Sequence, residues 1–182
     1  MKLISLLEKL EYTCLQGSTD QEVKNVIYDS RKVEEGSLFI CIRGAVVDGH
    51  KFVPDVVAKG AKVLIVEEAV EAPEDVTVIL VKDTRYAMAF ISAAYFGYPA
   101  EKLKTIGITG TKGKTTTTYM VKSILENAGY KVGLIGTIEA IIGDKVIPAK
   151  NTTPESYVIQ EYFHEMAEAG CDCVVMEVSS QG

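Results

Sequence analysis

The sequence predicts an α/β fold in two domains. Apolar, β-branched runs typical of buried strands alternate with helical patterns, and the connections between them are short. A strand, a glycine-rich turn and a helix follow one another over residues 104–120. Gly97-Tyr98-Pro99 interrupts the alternation, because proline ends a helix. We therefore expect a small N-terminal α/β domain over residues 1–99 and a parallel-sheet domain over residues 100–182.

The elements of the first domain follow from spacing and capping signals. Leucines at helical spacing predict a short amphipathic helix over residues 3–10. Asp83 or Thr84 can cap a helix that runs to Phe96. Apolar runs predict strands over residues 38–42, 63–66 and 76–81, and a helix face over residues 52–57, closed by Gly60. Residues 26–28 form a brief apolar run before the segment 29–31.

The elements of the second domain follow from turn, capping and apolar signals as well. The helix after the glycine turn ends at Gly129, a residue that favours a helix C-terminus. Gly143-Asp144 marks a β-hairpin over residues 139–147. Thr153 and Pro154 suit the N-cap and first position of another helix, whose predicted buried face is formed by Val158, Ile159, Tyr162, Phe163 and Met166. Strands over residues 132–135 and 173–178 complete the domain. Because a doubly wound domain usually has more strands, we expect a fragment.

Composition narrows the class of protein. The chain has 182 residues, 47% of them hydrophobic and 24% charged, which is ordinary for a globular protein. The net charge of −6, without a cluster of Lys and Arg, argues against nucleic acid as a partner. No apolar run reaches the ~18 residues of a membrane span, and residues 1–10 do not resemble a signal peptide.

The four cysteines include no Cys-x-x-Cys pair. For Cys171 and Cys173 we expect core packing, with zinc binding as the alternative. Free thiols without a secretion signal indicate the reducing cytoplasm.

The stretch Lys104 to Met120 has the layout of a phosphate-binding loop. Glycines allow the backbone to wrap around an anion, and the amides at the start of the helix point at it. Lys114 supplies a positive charge and Thr115 a hydroxyl for magnesium. The strict pattern requires glycine where Ile108 stands, so a simple turn with an incidental lysine is the alternative. The candidate phosphate-binding residues are Gly110, Thr111, Lys112, Gly113, Lys114, Thr115 and Thr116.

Three further segments carry candidate polar groups. Glu177 ends the last strand, at the sheet edge where the phosphate loop also emerges, and could bind magnesium or simply face water. Asn151, Thr152 and Thr153 suit a phosphate or a carboxylate, or they cap the next helix. The segment 29–31, Asp-Ser-Arg, is either a ligand contact or a turn.

These motifs together resemble the Mur ligases. The resemblance rests on residues 107–116, on Asn151-Thr152-Thr153-Pro154 and on residues 176–180, in that order along the chain. The Asn-Thr-Thr-Pro segment is similar to that of the MurE type, the UDP-N-acetylmuramoyl-tripeptide synthetases. Residues 29–31, 36–39 and 48–50 also resemble the N-terminal domain of these enzymes, so the resemblance covers essentially the whole chain.

The resemblance implies a role for each domain. Residues 1–99 would bind the UDP-sugar, and residues 100–182 would be the first part of a P-loop, parallel-sheet ATPase domain. ATP and Mg²⁺ are the implied cofactors, with Lys114 as catalytic residue and Thr115 and Glu177 as metal ligands. The implied contacts of the UDP-linked substrate are Tyr28, Ser30, Ala45, Val46 and Val47 for the uridine diphosphate and Asn151, Thr152, Thr153 and Ser179 for the muramoyl-dipeptide. Gln181 stands where many of these ligases have histidine.

The implied reaction is ATP-dependent amide formation in peptidoglycan biosynthesis. A diamino acid would be added to UDP-N-acetylmuramoyl-L-alanyl-D-glutamate through an acyl phosphate. We expect a cytoplasmic monomer that, as a fragment, is inactive alone. Two other readings stay open at this point: a UDP-sugar-binding module without activity, and another P-loop NTPase, although no Asn-Lys-x-Asp guanine motif follows the loop.

Overall fold

The computed structural model describes residues 1–44 and 47–180. The chain divides into two compact units, Met1–Tyr95 and Phe96–Gly182, so the division falls slightly before Pro99. Each unit has one five-stranded mixed sheet. The predicted α/β class is confirmed.

The first unit builds its sheet in the order β1-β5-β4-β3-β2. Strands β2 to β5 are parallel, and β1 pairs with β5 in the antiparallel direction. Its elements are α1 (Leu3–Leu6), β1 (Thr13–Gln16), β2 (Asn25–Ile27), β3 (Ser37–Ile40), α2 (Val53–Ala58), β4 (Val63–Val66), β5 (Thr77–Leu80) and α3 (Thr84–Tyr95). Strand β1 was not predicted, because its residues are largely exposed and show no apolar alternation.

Both faces of this sheet are buried. Phe39 and Leu64 belong to the same apolar cluster as Val56 of α2. Their strand neighbours Leu38 and Ile65 point to the opposite face and are also fully buried. The parallel strands therefore read as continuous apolar runs, as expected for a sheet that is covered on both sides.

The second unit places its last strand in the middle of the parallel part of the sheet, in the order β6-β10-β7-β8-β9. Its elements are β6 (Lys104–Ile108), α4 (Lys114–Asn127), β7 (Val132–Ile135), β8 (Glu139–Ile142), β9 (Lys145–Pro148), α5 (Ser156–Glu168) and β10 (Cys173–Glu177). Strand β10 is parallel to both β6 and β7. The predicted hairpin is present as β8 and β9, joined at Gly143 and Asp144.

The two helices of this unit cover opposite faces of the sheet. Phe163 and Met166 of α5 pack in one cluster with Val174. Leu125 of α4 packs in another cluster with Val175, the next residue of β10. The apolar packing predicted for the cysteines is confirmed, since Cys171 and Cys173 are buried.

One sequence-based expectation is wrong: helix α5 begins at Ser156 and its N-cap is Glu155, so Thr153 and Pro154 precede the helix. On α4, Ile124 is 66% exposed and Met120 is 60% exposed. Among the helices of the described ranges, none combines the length and apolarity needed to cross a membrane.

Candidate functional site

The phosphate loop joins the carboxyl end of β6 to the start of α4. Gly113 is the N-cap and has φ 79°, a left-handed conformation that glycine adopts without a side-chain clash. The residues from Gly110 to Gly113 are exposed. The Lys114 ammonium folds back and donates to the Gly110 carbonyl oxygen at 2.8 Å. The loop thus presents a cation and the free amides of the first helical turn to solvent, an arrangement suited to binding an anion.

Thr115 and Glu177 meet beside this loop. Parallel pairing of β10 with β6 places Glu177 opposite Ile108, the last residue before the loop. The Thr115 hydroxyl donates to Glu177 Oε2 at 3.0 Å. The alternative that Glu177 simply faces water does not hold, because the residue is only 1% exposed. The parallel sheet therefore brings the two predicted metal ligands together.

Glu177 is held by three donors but by no cation. The Thr137 amide donates to Oε1 at 2.9 Å, and the Thr137 hydroxyl lies 3.0 Å from Oε2. None of the ion pairs within residues 1–44 and 47–180 includes Glu177. A buried carboxylate without a counter-charge is costly, so a bound cation would be favourable there.

The backbone next to Glu177 is built around the carboxylate. A Cβ placed on Gly136 would lie 2.6 Å from Glu177 Oε1, which is closer than any side chain tolerates. The described residues contain no group of three or more His, Cys, Asp or Glu side chains that could hold a metal by themselves. A magnesium ion here would thus depend on oxygen atoms of a bound phosphate, which is common for this metal.

The segment from Asn151 to Thr153 lies against the same strand end. The Thr153 hydroxyl donates to the Glu177 carbonyl oxygen at 3.0 Å and accepts from the Ser179 amide at 2.9 Å. These two bonds explain why Thr153 does not cap α5. Thr152 Oγ1 lies 3.1 Å from Thr137 Oγ1, and Asn151 is exposed. Thr153 and Ser179 therefore lie at the backbone end of Glu177, and Thr152 is linked to its carboxylate through Thr137, whereas Gln181 lies outside the described residues.

Sequence reasoning missed three residues of this cluster. Thr137 follows β7 at the carboxyl edge of the sheet, a position that could have signalled it. The Tyr119 hydroxyl, one helical turn after Thr115, donates to Glu139 Oε1 at 2.8 Å. Burial, followed by the hydrogen bond to Glu139, raises the pKa of Tyr119 to about 12. Tyr119 therefore remains a neutral donor at neutral pH.

The first unit has a cavity of about 480 Å³ that includes three of the predicted substrate contacts. Tyr28, Ser30 and Val47 line it, and Phe39 and Ile42 contribute apolar surface. Ala45 and Val46, the other two predicted contacts, lie outside the described residues. An aromatic ring, a hydroxyl and an apolar floor suit a flat, polar-edged ring such as a base.

An ion pair stands at the rim of this cavity. The Arg31 guanidinium donates to Asp29 Oδ2 at 2.7 Å. That hydrogen bond lowers the pKa of the Asp29 carboxyl to about 2. The pair fixes the short turn that presents Ser30 to the cavity.

A buried histidine, His50, follows the cavity residue Gly49 in the chain. His50 Nδ1 lies 2.6 Å from Asp48 Oδ1. The Glu67 amide donates to His50 Nε2 at 2.9 Å. Because Nε2 accepts, the ring proton sits on Nδ1 and is donated to Asp48. His50 thereby ties the loop after β3 to the end of β4.

Comparison with known proteins finds Mur ligases over most of the chain. Residues 108–182 match the Mur ligase middle domain, and residues 22–96 match the Mur ligase family catalytic domain. The chain is 53% identical to the UDP-N-acetylmuramoyl-L-alanyl-D-glutamate–2,6-diaminopimelate ligase of Clostridium perfringens, over 99% of the chain and 37% of that protein. The enzyme of the same name from Clostridium tetani is 49% identical, over 99% of the chain and 38% of that protein. The chain thus spans little more than a third of these relatives.

Solved structures have the same architecture. MurF from Acinetobacter baumannii superposes with a TM-score of 0.66 at 27% identity, over 98% of this chain and 36% of that one. A UDP-N-acetylmuramoyl-L-alanyl-D-glutamate–2,6-diaminopimelate ligase superposes with a TM-score of 0.76 over 100% of this chain and 36% of that one. Its identity of 22% supports the fold alone.

Proposed function

The chain belongs to the Mur ligase family, and from that premise we propose that it supplies the nucleotide-binding and UDP-substrate-binding parts of a MurE-type ligase. The proposed reaction adds a diamino acid to UDP-N-acetylmuramoyl-L-alanyl-D-glutamate in peptidoglycan biosynthesis, at the expense of ATP. We take 2,6-diaminopimelate as the diamino acid, because it appears in the names of the Clostridium relatives.

One observation carries the nucleotide part of this proposal: the buried Glu177 carboxylate, which has no ion-pair partner among the described residues, accepts a hydrogen bond from Thr115 directly beside the Lys114 loop. Thr115 and Glu177 would hold Mg²⁺, which supplies positive charge to the β- and γ-phosphates. The hydroxyl proton of Thr115 already points at Glu177, so its oxygen lone pairs remain available to a cation. The residues therefore fit the metal that the family implies.

The chain's own groups have definable roles in phosphoryl transfer. The amides of residues 110–116 would cradle the triphosphate, and Lys114 would exchange the Gly110 carbonyl for phosphate oxygens. The γ-phosphoryl group would move to an oxygen of the D-glutamate carboxylate, leaving ADP. The amine of the diamino acid would then attack the acyl carbon, phosphate would leave, and the amine would lose a proton.

The acceptor would lie against the segment after β9. Asn151, Thr152, Thr153 and Ser179 are the proposed contacts of the muramoyl-dipeptide. Thr153 and Ser179 are supported by their hydrogen bonds at the end of β10, which place them next to Glu177. A carboxylate bound there would be close to the phosphate loop, as an in-line transfer requires.

The uridine diphosphate is assigned to the cavity of the first unit. Tyr28, Ser30 and Val47 support this assignment because they share one cavity, and Ala45 and Val46 are retained as proposed contacts. We place the activity in the cytoplasm, where ATP is available and where thiols such as buried Cys41 and Cys171 remain reduced. The monomeric state also remains a prediction.

Calorimetry with two ligands tests the proposal. We expect the chain to bind both ATP with Mg²⁺ and UDP-N-acetylmuramoyl-dipeptide. Lys114→Ala should abolish only the nucleotide signal, and Tyr28→Ala should weaken only the uridine ligand. Lys122→Ala, which removes an exposed ion pair with Glu126 on the same helix, is the control and should change neither. Binding of the uridine ligand without any nucleotide signal would instead favour a binding module.

A further inference from the structure

Thr137 makes two hydrogen bonds to the Glu177 carboxylate, more than any other described residue. Its amide and its hydroxyl contact different oxygens of the carboxylate, at 2.9 Å and 3.0 Å. Glu177 is 1% exposed, whereas Thr137 is exposed at the mouth of the cluster. Thr137 therefore determines how the carboxylate is oriented without being part of the packed core.

The hydrogen-bond directions in this cluster follow from chemistry. A carboxylate can only accept, so the single hydroxyl proton of Thr137 is donated to Glu177 Oε2. Thr152 Oγ1 lies 3.1 Å from Thr137 Oγ1. Because the Thr137 proton is already donated to Glu177, the Thr152 hydroxyl is the donor in this hydrogen bond and Thr137 Oγ1 the acceptor. The result is a directed chain from Thr152 through Thr137 to Glu177.

The same carboxylate oxygen receives the Thr115 hydroxyl at 3.0 Å. Glu177 Oε2 is thus bonded to Thr115, which follows the phosphate loop, and through Thr137 to Thr152 of the segment Asn151–Thr153. Gly136 allows the carboxylate to lie close to the end of β7, since a Cβ at that position would be 2.6 Å from Oε1. The hydrogen bonds from Thr115 and Thr137 hold Glu177 from both sides.

We propose that Thr137 is a positioning residue of the ligase reaction, which holds the Glu177 carboxylate in its cation-binding orientation and links it to Thr152 of the acceptor-binding segment. The inference rests on the proposed function, because it assigns Glu177 to the magnesium ion. Residues that hold a metal ligand through one hydrogen bond typically change metal affinity by about 10- to 100-fold when removed. Thr137 acts through Glu177 and does not itself need to touch substrate.

The test is the Mg²⁺ dependence of ADP binding by the whole chain, measured by calorimetry at a series of Mg²⁺ concentrations and in EDTA. Thr137→Val keeps the shape and the amide but loses the hydroxyl, whereas Thr137→Ser keeps both donors. We expect Thr137→Val to raise the half-saturating Mg²⁺ concentration about tenfold, with ADP affinity in EDTA unchanged, and Thr137→Ser to restore it. Thr105→Val is the matched control, because it removes an exposed hydroxyl on β6.

If Thr137→Val only damaged the fold, ADP binding in EDTA would also fall. The measurement in EDTA therefore distinguishes a purely structural role of Thr137 from a positioning role. Should Thr137→Val be insoluble, Thr152→Val removes the outer hydroxyl alone and is expected to raise the half-saturating Mg²⁺ concentration by a smaller factor. Equal Mg²⁺ dependence in wild type and Thr137→Val would overturn the inference and leave the proposed function intact. If the wild-type chain binds ADP without any Mg²⁺ effect, the assignment of Glu177 fails, and the inference fails with it.

Discussion

The hydroxyl of Thr115 and the carboxylate of Glu177 are joined by a 3.0 Å hydrogen bond, although 62 residues separate them in the chain. The contact exists because β10 lies beside β6 in the sheet and ends at the same edge. It places the start of α4 and the end of β10 together at the proposed phosphate-binding loop.

Thr115→Val should weaken Mg²⁺-dependent ADP binding by about tenfold, because it removes both the donor to Glu177 and the oxygen available to the cation. Thr115→Ser should retain most of the affinity. Thr117→Val, an exposed position two residues further along α4, is the control. Unchanged Mg²⁺ dependence in Thr115→Val would contradict the assigned role.

Glu177→Gln should separate stability from cation binding. The substitution removes a buried charge that has no ion-pair partner among the described residues, so the free energy of unfolding should stay equal or rise by about 1 kcal/mol. The effect of Mg²⁺ on ADP affinity should disappear. Urea denaturation and calorimetry on the same sample measure both, and a large loss of stability would count against this account.

Gly136→Ala should destabilise the second unit by about 1–3 kcal/mol, because its Cβ would overlap a Glu177 oxygen at 2.6 Å. Gly107→Ala is the matched control, since its Cβ would meet only a methyl group of Val178 at 3.2 Å and that side chain can shift. The measurement is the urea midpoint of each variant. Equal midpoints would mean that the Glu177 carboxylate can move away at little cost.

Asp29→Asn should lower stability at pH 7 but not at pH 2. The Arg31 hydrogen bond holds the folded-state pKa of Asp29 at about 2, below the ordinary value of 3.8. A carboxyl whose pKa is lowered in the folded state stabilises the fold at pH values above its ordinary pKa. This contribution is lost as the pH falls from about 4 toward 2. Because the Arg31 side chain is 86% exposed, solvent screening limits the effect to about 1 kcal/mol. Urea curves of both proteins across this range should converge at the acid end.

Ser92→Ala should raise the free energy of unfolding by about 1 kcal/mol. Ser92 is fully buried on α3, and its hydroxyl has no hydrogen-bond partner among the described residues. Alanine also has the higher helix propensity. Thr118→Val is the contrasting variant, because the Thr118 hydroxyl donates to the Lys114 carbonyl at 2.7 Å and its loss should destabilise. A lower urea midpoint in Ser92→Ala would disprove the expectation.

The sequence was most informative where local chemistry and chain order determine structure. Gly113, Lys114 and Thr115 could be assigned to a loop because glycine, cation and hydroxyl follow a strand directly. Glu177 could be placed near them because parallel strands share their carboxyl edge. The position of Thr137 after β7 marked it as a residue of the same edge, but its pairing with Glu177 depends on β7 lying beside β10, and no spacing rule specifies that strand order.

Local signals were misleading where a distant partner competes for the same group. Thr153 has the residue type and position of a helix cap, yet its hydroxyl bonds to the end of β10 instead. The missed strand β1 pairs with β5 through its backbone while its side chains stay exposed, so hydrophobic alternation gave no signal.

The central place of β10 has a consequence for synthesis on the ribosome. Within the described residues, β6 has β10 as its only strand neighbour. While the chain is being made, β6 emerges well before β10, so its backbone groups cannot pair with that strand until Cys173–Glu177 has been synthesised. We therefore expect the turn after β6, the proposed anion-binding loop, to become rigid only once β10 has left the exit tunnel, and a chaperone that shields exposed β6 should speed this step.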